Sequence, residues 1–111
     1  MEKYPHNKII WEKFIVYRNS HNAKRLGFYL SYEEFYDMII QPCVYCGKEG
    51  DFTSFNGIDR IDSKQGYIKS NCLPCCTRCN QSKGDLTVSK FVKRGKMAKR
   101  QNVIIAGKVY K

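Results

Sequence analysis

Two C-x-x-C pairs constrain this chain more than any other feature: Cys43-Val44-Tyr45-Cys46 and Cys76-Thr77-Arg78-Cys79. Two such pairs, a few tens of residues apart, supply four thiolates to one tetrahedral Zn²⁺. A chain that brings both pairs to one ion has to fold around that point. Each pair is expected to form a tight knuckle, and Gly47 lets the backbone leave the first with a positive φ. Cys43, Cys46, Cys76 and Cys79 are therefore the expected ligands of a structural zinc. The competing reading is six buried or disulfide-bonded cysteines. The paired spacing disfavours it, and no secretory leader is read at the N-terminus, which points to a reducing, intracellular compartment. Cys72 and Cys75 read as small apolar fillers, with Cys75 the one competitor for the ligand position of Cys76.

The stretch between the pairs carries its own pattern. Asn56 to Ile61 alternates apolar and polar residues, the mark of a short strand. Asp62-Ser63-Lys64-Gln65-Gly66 is turn chemistry, and Tyr67 to Leu73 returns as a loop and a second strand that Pro74 ends. A helix is expected from Cys76 through Lys83, broken by Gly84. Strand, loop, strand and helix with a cysteine knuckle at each end make a small ββα unit around zinc.

The flanks read as support. Residues 6–19 place Ile10, Phe14 and Tyr17 at helical spacing, with Trp11 and Ile15 widening the apolar face. Asn19 to Lys24 reads as a polar turn. Ser31-Tyr32-Glu33-Glu34 is a capping box that opens a helix to about Ile40, and Pro42 stops it just before Cys43. Lys48 to Ser54 is a loop. Beyond the second knuckle a short helix over Leu86–Phe91 has Thr87 as its cap. Lys90 to Arg100 is dense in basic residues, either an arm that tracks phosphates or a solvated face. Val103 to Tyr110 reads as a terminal strand or an arm that packs on a protein partner or a second copy.

At 111 residues the chain is one small folding unit that benefits from a metal staple. It divides into an N-terminal helix and linker (1–30), the zinc domain (31–90) and a basic C-terminal tail (91–111). A net charge of +10 points to a polyanion, most simply nucleic acid. No apolar run approaches the ~20 residues of a membrane span. The fold class is α+β: a zinc-bound ββα core with N-terminal helices and a basic C-terminal extension.

Taken together these residues resemble the HNH endonucleases, zinc-stapled ββα-metal nucleases found in phages and other mobile elements. The likeness rests on C-V-Y-C-G at 43–47, I-D-R-I-D at 58–62, Gly66-Tyr67, Asn71 and C-T-R-C-N-Q-S-K at 76–83. The lead-in over Ala23–Gly27 and Leu30–Phe35 is also similar, so the resemblance covers roughly residues 20–90. It implies that Asp59 and Asn80 bind a catalytic divalent ion, Mg²⁺ or another. It also implies that Asn71 ties down the loop between the strands and that the cysteine-bound zinc takes no part in the chemistry. A carboxylate and an amide oxygen are hard donors suited to such an ion. The implied substrate is DNA. Lys83 reads as a contact to its backbone or as an ordinary surface lysine, and Lys24 and Arg25 as phosphate contacts or solvated residues.

One position departs from the family pattern. The histidine that serves as general base is replaced here by Arg60, and a guanidinium cannot accept a proton in a protein. Asp62 is the first substitute, because two residues along a strand it projects to the same side as Arg60, and its other reading is a cap on the turn with Ser63. Tyr67 is the second, and His6 and His21 are remote alternatives. Arg60 itself is suited to bidentate phosphate binding. Two readings stand: a metal-dependent DNA endonuclease, or a catalytically impaired HNH-fold zinc protein that binds nucleic acid or builds a larger assembly.

Overall fold

The computed structural model describes residues 4–50, 55–94, 103–105 and 107–110. Three helices lead: α1 (Lys8–Arg18), α2 (His21–Leu26) and α3 (Tyr32–Ile39). Strands β1 (Gly57–Arg60) and β2 (Cys72–Cys75) pair antiparallel, with Asp59 opposite Leu73 and Arg60 opposite Cys72. Helix α4 (Thr77–Lys83) follows directly, then α5 (Val88–Arg94) and a second hairpin, β3 (Val103–Ile105) with β4 (Lys108–Tyr110).

Local chemistry explains where the elements start. Asn7 caps α1 by accepting the Ile10 N–H at 3.1 Å, and the capping box of α3 forms in both directions between Ser31 and Glu34. Thr87 Oγ1 accepts the Lys90 N–H at 3.2 Å, so α5 begins where its sequence signals it. The expected turn at Asn19–Lys24 is instead α2. Ser20 caps it by accepting the Ala23 N–H at 3.2 Å, and burial of Ala23 outweighs the polarity of its neighbours. Pro74 lies inside β2 rather than ending it. Among the described residues the sheet has two strands, so the missing N–H breaks no inner ladder, and the Pro74 carbonyl accepts the Val44 N–H at 2.9 Å.

Two apolar clusters flank the β1–β2 sheet. One holds Ile10, Phe14, Ala23 and Leu30 together with Phe35, Ile39, Ile58 and Tyr67. The N-terminal helices therefore share a core with the first strand. The other gathers Cys43, Tyr45, Cys75, Cys76 and Cys79 with Val88, Phe91, Val92, Val103 and Ile105. A tail beginning at residue 91 would cut α5 between Val88 and the other two of its three buried residues, Phe91 and Val92. The expected single terminal strand is a hairpin turned at Gly107, where φ is 83°. Residues 95–100 of the basic arm and 51–54 of the expected loop lie outside the described residues.

Candidate metal centre and adjoining cleft

The four paired cysteines meet. Their Sγ atoms all lie within 4.8 Å of one another, and Cys46 and Cys76 are 3.7 Å apart. Tetrahedral Zn²⁺ with Zn–S bonds of about 2.3 Å needs sulfurs about 3.8 Å apart, so the group has the size and donor chemistry to hold such an ion. The first knuckle is closed by the Gly47 N–H on the Cys43 carbonyl at 2.9 Å, with Gly47 at φ 78°. The second is the start of α4, where Cys76 is the N-cap and its Sγ accepts the Cys79 N–H at 3.4 Å. Asn56, itself buried, clamps the first knuckle to the end of α3 by donating to the carbonyls of Lys48 at 2.9 Å and Gln41 at 3.0 Å.

The thiols have unequal proton affinities. A hydrogen bond from Cys75, with backbone N–H groups behind it, holds Cys43 well below its usual range. Burial pushes Cys46 and Cys79 up. Cys75 is fully buried and rises, first through its bond to Cys43, and lies outside the four-sulfur group. Burial raises Cys72 to about 12, as suits a filler.

Beside this centre a cleft of about 240 Å³ is lined by β1, α4 and the loops around them, including Asp59, Arg60, Tyr67, Asn80, Lys83 and Asp85. Asp59 is only 5% exposed, and both carboxylate oxygens are engaged. Tyr45 donates its hydroxyl to Oδ2 at 2.6 Å, and the Lys83 ammonium stands 3.2 Å from Oδ1. Burial, then the Asp59 charge, push the Tyr45 hydroxyl far above its ordinary value of 10.0. Asn80 reaches β1 from α4, its Nδ2 donating to the Ile58 carbonyl at 3.3 Å.

The remaining expected site residues divide. Asn71 ties the inter-strand loop: its Oδ1 accepts the Asp62 N–H at 2.9 Å, and its Nδ2 donates to the carbonyls of Asp62 at 3.1 Å and Gly66 at 3.0 Å. Arg60 faces the cleft but is fastened to the same loop. It donates to the carbonyls of Ser63 and Gln65, both at 2.9 Å, and lies 5.2 Å over the Tyr67 ring. For Asp62 the structure shows the turn cap and not the strand position expected of a substitute base. Strand β1 ends at Arg60, so the alternation stops short, and the Asp62 carboxylate caps the turn by accepting from Lys64 N–H at 2.9 Å and Gln65 Nε2 at 3.3 Å. Lys83 is corrected too: it is 3% exposed and paired with Asp59, not a surface lysine open to a phosphate backbone. Lys24 and Arg25 are exposed in the last turn of α2 and do not line the cleft, and neither do His6 and His21.

Tyr45 and Tyr17 are the site residues that sequence reasoning passed over. Tyr45 sits inside the first C-x-x-C pair, and a hydroxyl-bearing aromatic next to a ligand was its one signal. Tyr17 lies on an apolar helical stripe, yet its hydroxyl accepts the Ile58 N–H at 3.0 Å and closes the wall of the cleft. It passes over Gly57 so closely that a Cβ there would collide with it.

Over 78 residues the chain is 38% identical to an uncharacterized protein of Acanthamoeba polyphaga mimivirus. The match takes in 70% of this chain and 15% of the mimivirus protein, so the chain corresponds to a small part of that curated relative. No protein-family model matches the chain, and no solved structure does. Among the described residues, no helix is long and apolar enough to cross a membrane.

Proposed function

We propose that this chain is an HNH-type endonuclease domain that hydrolyses phosphodiester bonds in DNA with the help of a divalent ion. The observation that carries the reading is the meeting of Asp59, on the first strand, and Asn80, on the helix after the second knuckle, at one cleft beside the four-cysteine centre. The antiparallel β1–β2 pair running straight into α4 supports the reading. A structural metal domain has no need of a buried carboxylate and an amide on its outer cleft.

The donor set fits a hard cation, and the Lys83 ammonium on Asp59 Oδ1 marks where positive charge sits. A bound Mg²⁺ or Mn²⁺ supplies polarisation of the scissile phosphate. Asp59 and Asn80 would hold it. Asn71 fixes the loop, and Arg60, held by that loop with its guanidinium on the cleft, offsets phosphate charge. With the Asp62 carboxylate taken up by its turn, Asp85 is the one lining carboxylate besides Asp59 among the described residues, which makes it the proton acceptor for an attacking water in this reading.

The test is plasmid nicking by zinc-loaded protein with Mg²⁺, Mn²⁺ or Ni²⁺, beside EDTA and Asp59→Ala controls. Metal-dependent nicking that Asp59→Ala abolishes is the expected result, with Asp85→Asn strongly slowed. A second reading has its own support: Arg60 stands where the base belongs and is locked in a loop, and Asp59 is already neutralised by Lys83. It is a non-catalytic module that binds DNA, and salt-sensitive DNA binding without cleavage under any metal would establish it instead.

A further inference from the structure

Lys83 and Asp59 form a buried pair at the position the proposed reaction gives to a divalent ion. Lys83 is 3% exposed and Asp59 5%. The ammonium contacts Asp59 Oδ1 at 3.2 Å and the Arg60 carbonyl at 3.4 Å, while the other carboxylate oxygen takes the Tyr45 hydroxyl at 2.6 Å. Each carboxylate oxygen thus already has a partner, one of them a full positive charge. An ammonium and a divalent ion on one buried carboxylate repel each other in a low-dielectric setting, so one must leave. Lys83 is able to. It ends α4, Gly84 follows at φ 51° with open space around it, and the lysine stem borders the cleft.

We propose that Lys83 is a displaceable resident cation. It neutralises Asp59 while the site holds no divalent ion, and it gives way when one binds, turning its ammonium into the cleft where a substrate phosphate lies. The proposal rests on the endonuclease reading for the identity of the incoming ion. It makes Lys83 a positioning residue that sets how tightly the site takes that ion.

The wild-type protein tests this directly. Reductive dimethylation of the zinc-loaded chain, read by mass spectrometry, is expected to spare Lys83 without Mg²⁺ and to label it at saturating Mg²⁺. Mn²⁺ titration followed by electron paramagnetic resonance is expected to show Lys83→Met binding at least about tenfold more tightly than wild type, because removing the competitor leaves a buried charge for the ion to satisfy. Asp59→Asn should bind no Mn²⁺ in the cleft. Lys83 labelling unchanged by Mg²⁺, equal Mn²⁺ affinities, or no Mn²⁺ binding to either protein would overturn the proposal. If Lys83→Met loses its zinc or its fold, the wild-type labelling decides alone. Metal-dependent nicking with equal affinities would leave the endonuclease reading and remove this one. Unequal affinities without nicking would do the reverse.

Discussion

The Asp59–Lys83 pair makes a quantitative demand on stability. Both side chains are almost fully buried, and the described residues give Asp59 no other cation. Lys83→Met keeps the stem but removes the charge, leaving a buried carboxylate with the Tyr45 hydroxyl as its remaining side-chain partner. Breaking one side of a buried pair costs about 3–5 kcal/mol, because the survivor is desolvated without compensation. For a domain of this size that is a fall in Tm of roughly 12–25 °C. Asp59→Asn alone strands the ammonium and should cost a similar amount. The double variant Asp59→Asn with Lys83→Met removes both charges, keeps the volumes, and should recover most of the loss, ending within about 1–2 kcal/mol of wild type. Urea unfolding of zinc-loaded protein at pH 7 gives all four corners of the cycle. A single Lys83→Met loss below about 1 kcal/mol, or a double variant as poor as the sum of the singles, would refute the claim that these charges are buried against each other.

Three further outcomes follow from the same geometry. Asn71→Ala deletes three hydrogen bonds that hold the inter-strand loop and should cost about 2–3 kcal/mol in urea unfolding, while Asn71→Asp, nearly isosteric, should do worse because it turns a carboxylate oxygen toward the carbonyls of Asp62 and Gly66. Tyr45 holds its proton in the fold above the ordinary value of 10.0, so the folded state binds more protons than the unfolded one at high pH. Stability should therefore be intact below pH 10 and fall above it, by up to about 1.4 kcal/mol per pH unit for this one group, and the alkaline slope in Tm should be shallower in Tyr45→Phe. The Cys46 and Cys79 thiols are pushed up by burial, so zinc must displace their protons; zinc retention, read with a colorimetric chelator, should drop as pH falls from neutral toward 5.

Short-range chemistry was readable in the sequence. The capping box at Ser31, the turn at Gly47 and the choice of Cys76 over Cys75 each depend on neighbours a few residues apart, and each falls where its pattern points. What could not be read needed distances across the chain. Lys83 reads as a surface residue because a lone lysine usually is one. Its burial follows only once α4 lies against β1 and brings Asp59, 24 residues away in sequence, under its ammonium. Asp62 failed for the opposite reason: strand alternation was extended two residues past the point where β1 stops, and turn chemistry takes the side chain. The α2 segment was lost to polarity, since a six-residue helix burying one alanine leaves little periodic signal.

Tyr45 shows why the four-cysteine centre and the cleft are one unit. It is fully buried between the two cysteines of the first knuckle, its ring meets Phe91 edge-on at 5.0 Å, and its hydroxyl reaches Asp59. The position of that hydroxyl is set by the knuckle from one side and by α5 from the other. Val103 and Ile105 of the terminal hairpin complete the same cluster. A cysteine centre that loosens therefore does more than lower stability. It withdraws the Tyr45 hydroxyl, the one neutral side-chain donor to the Asp59 carboxylate among the described residues, and leaves that buried carboxylate to Lys83 alone. The cysteine centre thus bears on the cleft through the Tyr45 hydroxyl on Asp59, without any cysteine lining that cleft.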